Sequence, residues 1–160
     1  MPNSGALPRQ ICGRATIRKI LIAALFVLLA GLPAAADDAK LTATLYKNPG
    51  CECCESYADY LRRGGIEVEV IATDALEVIK QQHGVPAALE SCHTMIIDGY
   101  VVEGHVPLAG ITRLLAERPA VTGIALPGMP MGSPGMGGAR EGPFQIMSFG
   151  QGEPALFDLE

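Results

Sequence analysis

The stretch LTATLYKNPGCECCESYADYLRRGG, residues 41–65, contains the pattern of one strand, one turn and one helix in succession. Residues 41–46 alternate apolar and polar side chains, which is the period of a half-buried strand. Asn48-Pro49-Gly50 predicts a turn. Apolar residues then recur at helical spacing as far as Leu61. Arg62 and Arg63 lie in the last turn of the predicted helix, and Gly64-Gly65 ends it. A strand that leads directly into a helix is typical of an α/β domain.

Three cysteines, Cys51, Cys53 and Cys54, lie where the predicted turn meets the predicted helix. A helix N-terminus carries roughly half a positive charge and free N–H groups, which stabilise a thiolate and activate Cys51 in particular. Cys51 and Cys54 form a C-x-x-C pair, in which Cys51 would attack a partner disulfide and Cys54 would resolve the mixed disulfide. This pattern indicates a thiol–disulfide oxidoreductase.

The third thiol, Cys53, favours a different chemistry because an extra neighbouring sulfur invites scrambling of a redox disulfide. Three clustered thiolates suit a soft ion such as Cu(I), and Cys92 is available to complete the shell. Zinc fits less well, because a closed zinc site usually takes two separated pairs of ligands and Cys92-His93 supplies only half of the second pair. A plain disulfide from Cys92 to one of the other three remains the structural alternative.

The next segment predicts a second strand and a second helix. Residues 66–71 alternate in the manner of a strand. Asp74 followed by Glu77 is a capping pattern, and Leu76, Val78 and Ile79 would form the apolar side of the helix that follows.

Asp98-Gly99 separates two short apolar runs, residues 94–97 and 100–102, and predicts a β-hairpin. Pro107 opens a third helix that ends before Pro119. The resulting order is strand, helix, strand, helix, strand, strand, helix. This order predicts a thioredoxin-like α/β fold with a central mixed sheet flanked by helices.

Residues 123–142 have a different composition, with seven glycines, three prolines and three methionines. We expect a loop there rather than a core element, a last strand in residues 144–149, and a flexible tail in residues 151–160. Met129 and Met131 are candidate metal ligands, because thioethers bind soft ions and resist oxidation better than thiols do. Packing within the loop is the alternative, and the case for Met136 and Met147 is weaker.

Residues 1–36 predict a cleaved export signal. Four basic residues precede an apolar run of about 13 residues, which is too short to span a ~30 Å hydrocarbon core, and Ala34-Ala35-Ala36 follows it. The domain would then occupy residues 37–150. Removing a segment with four of the 12 basic residues and none of the 17 acidic ones lowers the formal charge from −5 to −9, which argues against nucleic-acid binding. No membrane attachment is expected after cleavage.

Each histidine alone is weaker evidence for a metal site than the clustered cysteines are. His93 adjoins Cys92, and His105 follows the predicted hairpin, so both are placed to face the cysteines. A hydrogen-bonded structural role is the alternative for each. We name His105 as a candidate ligand. His83, at a predicted helix C-terminus, is explained by the helix dipole.

Several blocks in fixed order resemble a known family. The blocks are Tyr46-Lys47-Asn48-Pro49-Gly50-Cys51-Glu52-Cys53-Cys54, Gly84-Val85-Pro86, Ser91-Cys92-His93-Thr94, Glu103-Gly104-His105-Val106-Pro107 and Gly123-Ile124-Ala125-Leu126-Pro127-Gly128-Met129-Pro130. Together they resemble the CopG-like family of exported proteins, long catalogued as a domain of unknown function and associated with copper resistance. The resemblance covers the chain from about Leu41 to Phe149.

The resemblance implies a periplasmic protein of thioredoxin-like fold that holds copper, in particular Cu(I), in a thiolate-bridged and multinuclear cluster. The implied ligands are Cys51, Cys53, Cys54 and Cys92. It also implies interconversion of Cu(I) and Cu(II), which would make the protein a copper oxidoreductase, with copper ions and other exported copper-handling proteins as partners. Thioredoxins place a cis-proline before the third strand, where this chain is expected to have His93 or Thr94, which argues against exchange with protein dithiols.

Overall fold

The computed structural model describes residues 40–160, which fold around one mixed β-sheet. The strands are β1 (Thr42–Lys47), β2 (Glu67–Ala72), β3 (His93–Ile97), β4 (Tyr100–Glu103), β5 (Gly123–Ala125), β6 (Gln145–Gly150) and β7 (Gly152–Leu159). The helices are α1 (Glu52–Arg63), α2 (Leu76–Gln82) and α3 (Leu108–Glu117), with a short 3₁₀ turn at Ala87–Leu89. The export signal expected in residues 1–36 lies outside the described residues.

The sheet has the strand order β2-β1-β3-β4-β5-β6-β7. β1 and β2 are parallel and joined through α1, while β3 runs antiparallel to β1. β3 and β4 form the expected hairpin, in which Asp98 (φ 48°) and Gly99 (φ 83°) both take the positive φ that a two-residue turn of type I′ requires. The predicted order of elements from β1 to α3 is confirmed, and the mixed α/β class with it.

Two apolar layers cover the two faces of the sheet. On one face, α1 and α3 pack on alternate residues of the central strands, including Leu45, Met95, Val102, Ile124 and Ile146. On the opposite face, a smaller cluster joins the segment after α2 to the sheet, and its buried members are Val85, Leu89, Val101, Ala125 and Phe149. The period-two alternation along β4 and β5 therefore divides neighbouring residues between the layers.

The start and the apolar side of α2 differ from the expectation. The N-cap residue is Ala75, not Asp74, and the hydroxyl of Thr73 accepts the Ala75 N–H at 3.1 Å. Val78 is 50% exposed, whereas Lys80 is buried. The predicted cap was therefore wrong by one residue. The predicted apolar side was only partly right: Leu76 is buried as expected, but the other buried residue of the helix is Lys80, at a position that a hydrophobic residue would usually fill.

We expected residues 123–142 to form a loop, but their first three residues form the strand β5. This strand is completely buried and lies between β4 and β6. A Cβ on Gly123 would lie 2.1 Å from the Val101 carbonyl oxygen, so this close approach requires glycine. The glycine that signals a loop in the sequence here permits strand pairing.

The expectation of a flexible tail in residues 151–160 is wrong. β7 pairs antiparallel with β6, with irregular register near Ser148 and Gly150. Phe144 and Glu160 exchange backbone hydrogen bonds of 2.5 and 3.1 Å, which close the far end of this pair. The strand predicted in residues 144–149 is present as β6, and β7 adds an outer edge to the sheet.

Candidate metal centre

The first three cysteines lie at the N-terminus of α1, as predicted. Cys51 is the N-cap residue, with extended backbone (φ −74°, ψ 97°), and Cys53 and Cys54 lie in the first turn. The Cys51 N–H donates to the Asn48 carbonyl oxygen at 3.3 Å, which closes the turn before the helix. No side chain caps α1, so no side-chain acceptor satisfies its first N–H groups.

Cys92 joins these residues from the segment that leads into β3. Its sulfur lies 3.6 Å from the Cys54 sulfur and 4.0 Å from the Cys53 sulfur. Cys51 and Cys53 have sulfurs 3.4 Å apart. These four residues are called the four-cysteine cluster below, and their sulfurs lie within 4.8 Å of one another.

Cys92 is also the residue that directly precedes β3, because β3 begins at His93. Our expectation that His93 or Thr94 stands before this strand is therefore wrong by one or two residues. The residue before β3 thus carries a thiol, and the Cys92 sulfur lies opposite the Cys54 sulfur across the gap between α1 and β3.

Cys51 and Cys54 are joined by a disulfide with a Cα–Cα distance of 5.5 Å, while Cys53 and Cys92 are free thiols. The disulfide joins the two cysteines of the C-x-x-C pair. The alternative, a structural disulfide between Cys92 and one of the other three cysteines, is therefore not present. The cluster is thus described in an oxidised state, in which two of its four sulfurs are engaged with each other.

The thiol of Cys92 is held in its neutral form. Burial, and then the charge of neighbouring Cys53, raise the pKa of Cys92 to about 12. A free thiolate is therefore disfavoured at this position unless a cation stands beside it. A metal ion would supply that charge, because coordination deprotonates a thiol.

His105 lies in contact with the cluster, as predicted. Its Nε2 is 3.0 Å from the Cys92 sulfur, and its Nδ1 is 2.6 Å from the Pro134 carbonyl oxygen. A carbonyl only accepts, so Nδ1 carries the proton and the lone pair of Nε2 faces the sulfur. Burial lowers the pKa of His105, which keeps the ring neutral. A backbone acceptor on the far nitrogen is the usual companion of a metal-binding histidine.

His93 is completely buried beside Cys92. Its Nδ1 lies 3.4 Å from the Cys92 sulfur, and its Nε2 has no hydrogen-bond partner within residues 40–160. Burial, and then the proximity of His105 and Lys80, hold the pKa of His93 well below its usual range. Cys92, His93 and His105 thus form a second group of donor atoms that shares Cys92 with the cluster.

Tyr57 was not identified from the sequence, where it looked like an ordinary apolar position of α1. Its ring centroid lies 4.7 Å from that of His93 and 5.2 Å from that of His105. Its hydroxyl donates to the Val106 carbonyl oxygen at 2.7 Å, and burial raises its pKa well above the usual value. Tyr57 therefore forms an apolar wall behind both imidazole rings.

Part of the Gly/Pro/Met-rich segment covers the centre. Gly135 packs so closely on α1 that a Cβ there would lie 2.8 Å from the Cys53 carbonyl oxygen. The Ser91 hydroxyl donates to the Gly128 carbonyl oxygen. Met129 and Met131, however, are 53% and 51% exposed on this segment, so their role as ligands stays a prediction.

The donor set fits a soft metal ion. Two sulfurs bound tetrahedrally to one ion at about 2.3 Å would lie roughly 3.8 Å apart. Apart from the Cys51–Cys54 disulfide, three sulfur pairs of the cluster lie 3.4, 3.6 and 4.0 Å apart, which brackets that separation. Thiolate sulfur is the donor that Cu(I) prefers, and zinc also accepts it.

Comparison with known proteins adds independent support. The model of the family DUF411, described as a protein of unknown function, matches residues 89–136. Two solved structures, described as copper resistance protein copG, form 2 and form 1, are 36% identical to this chain, each with a TM-score of 0.70. They match 75% and 76% of this chain respectively, and 98% of their own length. No curated protein sequence matches significantly.

Proposed function

This chain belongs to the family of the copper resistance protein CopG, and from that membership we propose that it is an exported copper-binding protein. Its substrate is Cu(I), which the four-cysteine cluster holds as thiolates, and its role is in copper resistance. The periplasm is its site of action, by the export signal expected in residues 1–36. Within residues 40–160, no helix is long and apolar enough to cross a membrane.

One observation carries the proposal: four sulfurs from two separate chain segments lie within 4.8 Å of one another, and reduction of the Cys51–Cys54 disulfide would free all four for a shared ion. Cys54 and Cys92 are 38 residues apart in sequence, and their sulfurs are 3.6 Å apart. Neither a redox pair nor a structural disulfide needs the two further thiols. A site for several bridged Cu(I) ions uses all four, and His105 adds a nitrogen donor at its edge.

We also assign the scaffold to the thioredoxin-like folds. The support is the strand order β2-β1-β3-β4, with a parallel β1–β2 pair joined through α1 and an antiparallel β3–β4 hairpin. In this arrangement the N-terminus of α1 and the residue before β3 meet at one edge of the sheet. The strands β5, β6 and β7 extend that scaffold, and the segment between β5 and β6 covers the cluster.

Copper loading requires reduction of the Cys51–Cys54 disulfide. The disulfide takes up two electrons and two protons from a dithiol reductant, which becomes a disulfide itself, and two thiols result. Binding of Cu(I) then releases thiol protons. We propose that the same centre interconverts Cu(I) and Cu(II), with one electron passed per ion to or from an exported redox partner.

The test is copper retention by the reduced protein. The mature chain is reduced, freed of reductant and mixed with Cu(I) without oxygen, and the retained copper is counted after gel filtration. A Cys53→Ser, Cys54→Ser double variant is expected to lose most of that copper, and an exposed Met129→Leu variant to lose little. Equal copper in the parent and the double variant would sink the proposal. Parallel loading with Zn(II) decides between the two thiophilic ions.

A second function is favoured by the disulfide itself. Cys51 and Cys54 form the C-x-x-C disulfide of a thiol–disulfide oxidoreductase, with Cys51 at the helix N-cap. A partner thiolate would attack the Cys51 sulfur, and Cys54 would leave as a thiolate. Trapping such a partner requires that Cys53, Cys54 and Cys92 all be replaced by serine, because each sulfur could otherwise resolve the adduct. The absence of any trapped mixed disulfide in the native compartment would exclude this function.

A further inference from the structure

A buried ion pair lies directly behind the metal centre. Lys80 on α2 and Glu103 at the end of β4 are 1% and 0% exposed, and Lys80 Nζ lies 2.5 Å from Glu103 Oε1. Moving two charges out of water is costly, and apolar replacements of such pairs are often equally stable. The pair is therefore not explained by stability alone.

The contacts of the carboxylate point toward Cys92. Glu103 Oε1 accepts the Ser91 backbone N–H at 2.6 Å, and Glu103 Oε2 accepts the Thr94 hydroxyl at 2.7 Å. Lys80 Nζ donates to the Thr94 hydroxyl oxygen at 3.1 Å. Ser91 and Thr94 flank Cys92-His93 on either side. One carboxylate thus holds both ends of the dipeptide that carries the fourth sulfur.

The chain leads from Glu103 directly to the nitrogen donor, His105. Glu103 is followed by Gly104, whose N–H donates to the His93 carbonyl oxygen at 3.1 Å, and then by His105. Gly104 has a φ of 74°, and a Cβ there would lie 2.6 Å from the Ser91 hydroxyl oxygen, so the two segments are in close contact. Ser91 and Cys92 belong to no strand or helix, so no regular pattern of backbone hydrogen bonds fixes their positions. Contacts with side chains hold these two residues in place instead.

We infer that Lys80 and Glu103 are positioning residues of the metal centre, which hold the Cys92 sulfur in register with the other three cysteines and with His105 Nε2. This inference rests on the proposed function. Glu103 acts through Ser91 and Thr94, and Lys80 acts through Thr94 and Glu103. Outer-shell partners of this kind commonly change metal affinity by about 10- to 100-fold when they are removed.

The test replaces the network by apolar side chains of similar shape, in a Lys80→Met, Thr94→Val, Glu103→Leu triple variant. We expect it to fold, as measured by circular dichroism, and to bind Cu(I) at least about tenfold more weakly in a chelator competition. The near-ultraviolet absorption of the Cu(I)–thiolate complex should change shape as well as intensity. As a control, an Arg113→Gln, Glu117→Gln variant removes an exposed ion pair on α3 and should bind copper as the parent does.

Glu103→Gln serves as a second variant should the triple variant fail to fold. The amide keeps an acceptor for the Ser91 N–H but removes the charge that pairs with Lys80. We expect a loss of Cu(I) affinity smaller than that of the triple variant but measurable. Unchanged affinity and unchanged absorption in a folded variant would overturn the inference.

A readout without copper separates this inference from the proposed function. In the reduced, metal-free protein, the alkylation rate of Cys92 is measured by peptide mapping. We expect it to rise about tenfold in the triple variant, because the thiol leaves its buried position beside His105. If the parent protein takes up no Cu(I) but this rate still rises, the proposed function fails and the positioning role stands. An unchanged rate in folded variants contradicts the positioning role.

Discussion

His105 Nε2 lies 3.0 Å from the Cys92 sulfur, and the Pro134 carbonyl oxygen holds the proton on the opposite nitrogen of the same ring. The imidazole is thereby fixed in one tautomer, with its lone pair directed at a sulfur of the cluster. The contact joins three distant parts of the chain: the segment before β3, the segment after β4 and the Gly/Pro/Met-rich segment. It brings a nitrogen atom with a free lone pair next to the sulfurs of the cluster.

Removal of the His105 imidazole should weaken copper binding without affecting the thiols. We expect His105→Ala to lower Cu(I) affinity by about tenfold, because one donor and its oriented lone pair are lost. The measurement is a competition titration against a Cu(I) chelator. His83→Ala, at the end of α2, is the matched control and should keep the parent affinity. Equal affinities in both variants would exclude His105 as a ligand.

Copper binding should depend on the oxidation state of the Cys51–Cys54 disulfide. The oxidised protein offers only two free thiols of the cluster, so we expect it to retain several-fold less Cu(I) than the reduced protein. Metal analysis after anaerobic gel filtration measures this. A Cys51→Ser, Cys54→Ser variant has no disulfide to reduce, and its low copper content should not respond to reductant. Equal retention by oxidised and reduced parent protein would contradict the prediction.

The Gly/Pro/Met-rich segment, residues 123–142, should tolerate substitution at some of its glycines and not at others. Gly135 has a φ of 82°, and a Cβ would lie 2.7 Å from the Tyr57 backbone nitrogen. Gly135→Ala is expected to cost about 2 kcal/mol or more of folding stability, from backbone strain and overpacking together, and to weaken Cu(I) binding. Gly137→Ala is the control, because nothing lies within 4 Å of its Cβ position. Thermal unfolding and copper titration of both variants test this; equal effects would refute it.

The metal-free protein should lose stability in mild acid through His93. Burial lowers the pKa of His93 in the folded protein, whereas in the unfolded chain it titrates near ~6.5. Below that pH the unfolded state binds more protons, so the free energy of unfolding should fall by up to about 1.4 kcal/mol per pH unit from this residue. The contribution of neutral His93 to the free energy of unfolding is fully present above the pKa that His93 has in the unfolded chain, and it is lost as the pH falls below that value.

Denaturant unfolding between about pH 7 and pH 5 measures this slope. A His93→Phe variant keeps a ring beside Tyr57 but takes up no proton, and its slope should be shallower than that of the parent. Parallel slopes in the two proteins would show that His93 does not contribute to the acid sensitivity.

Local patterns in the sequence were sufficient for the first part of the fold. The alternation before Lys47, the cysteines at the start of α1 and the Asp98-Gly99 turn all report on neighbours within a few residues, and the structure agrees with each. Strands and helices of this kind are readable because their periods repeat within the element itself. The family resemblance, likewise carried by short blocks, is confirmed by the similarity to the copG structures.

Only the tertiary structure decided the later strands and the inner contacts of the centre. β5 is short and glycine-led, and β7 looked like a tail, because both owe their existence to hydrogen bonds with partner strands rather than to their own periodicity. Lys80 sits at a helical position that calls for an apolar residue, and its partner Glu103 lies 23 residues away. The sequence alone determined which sulfurs are available; the distances among them, the disulfide and the His105 tautomer depend on long-range packing that no local pattern records.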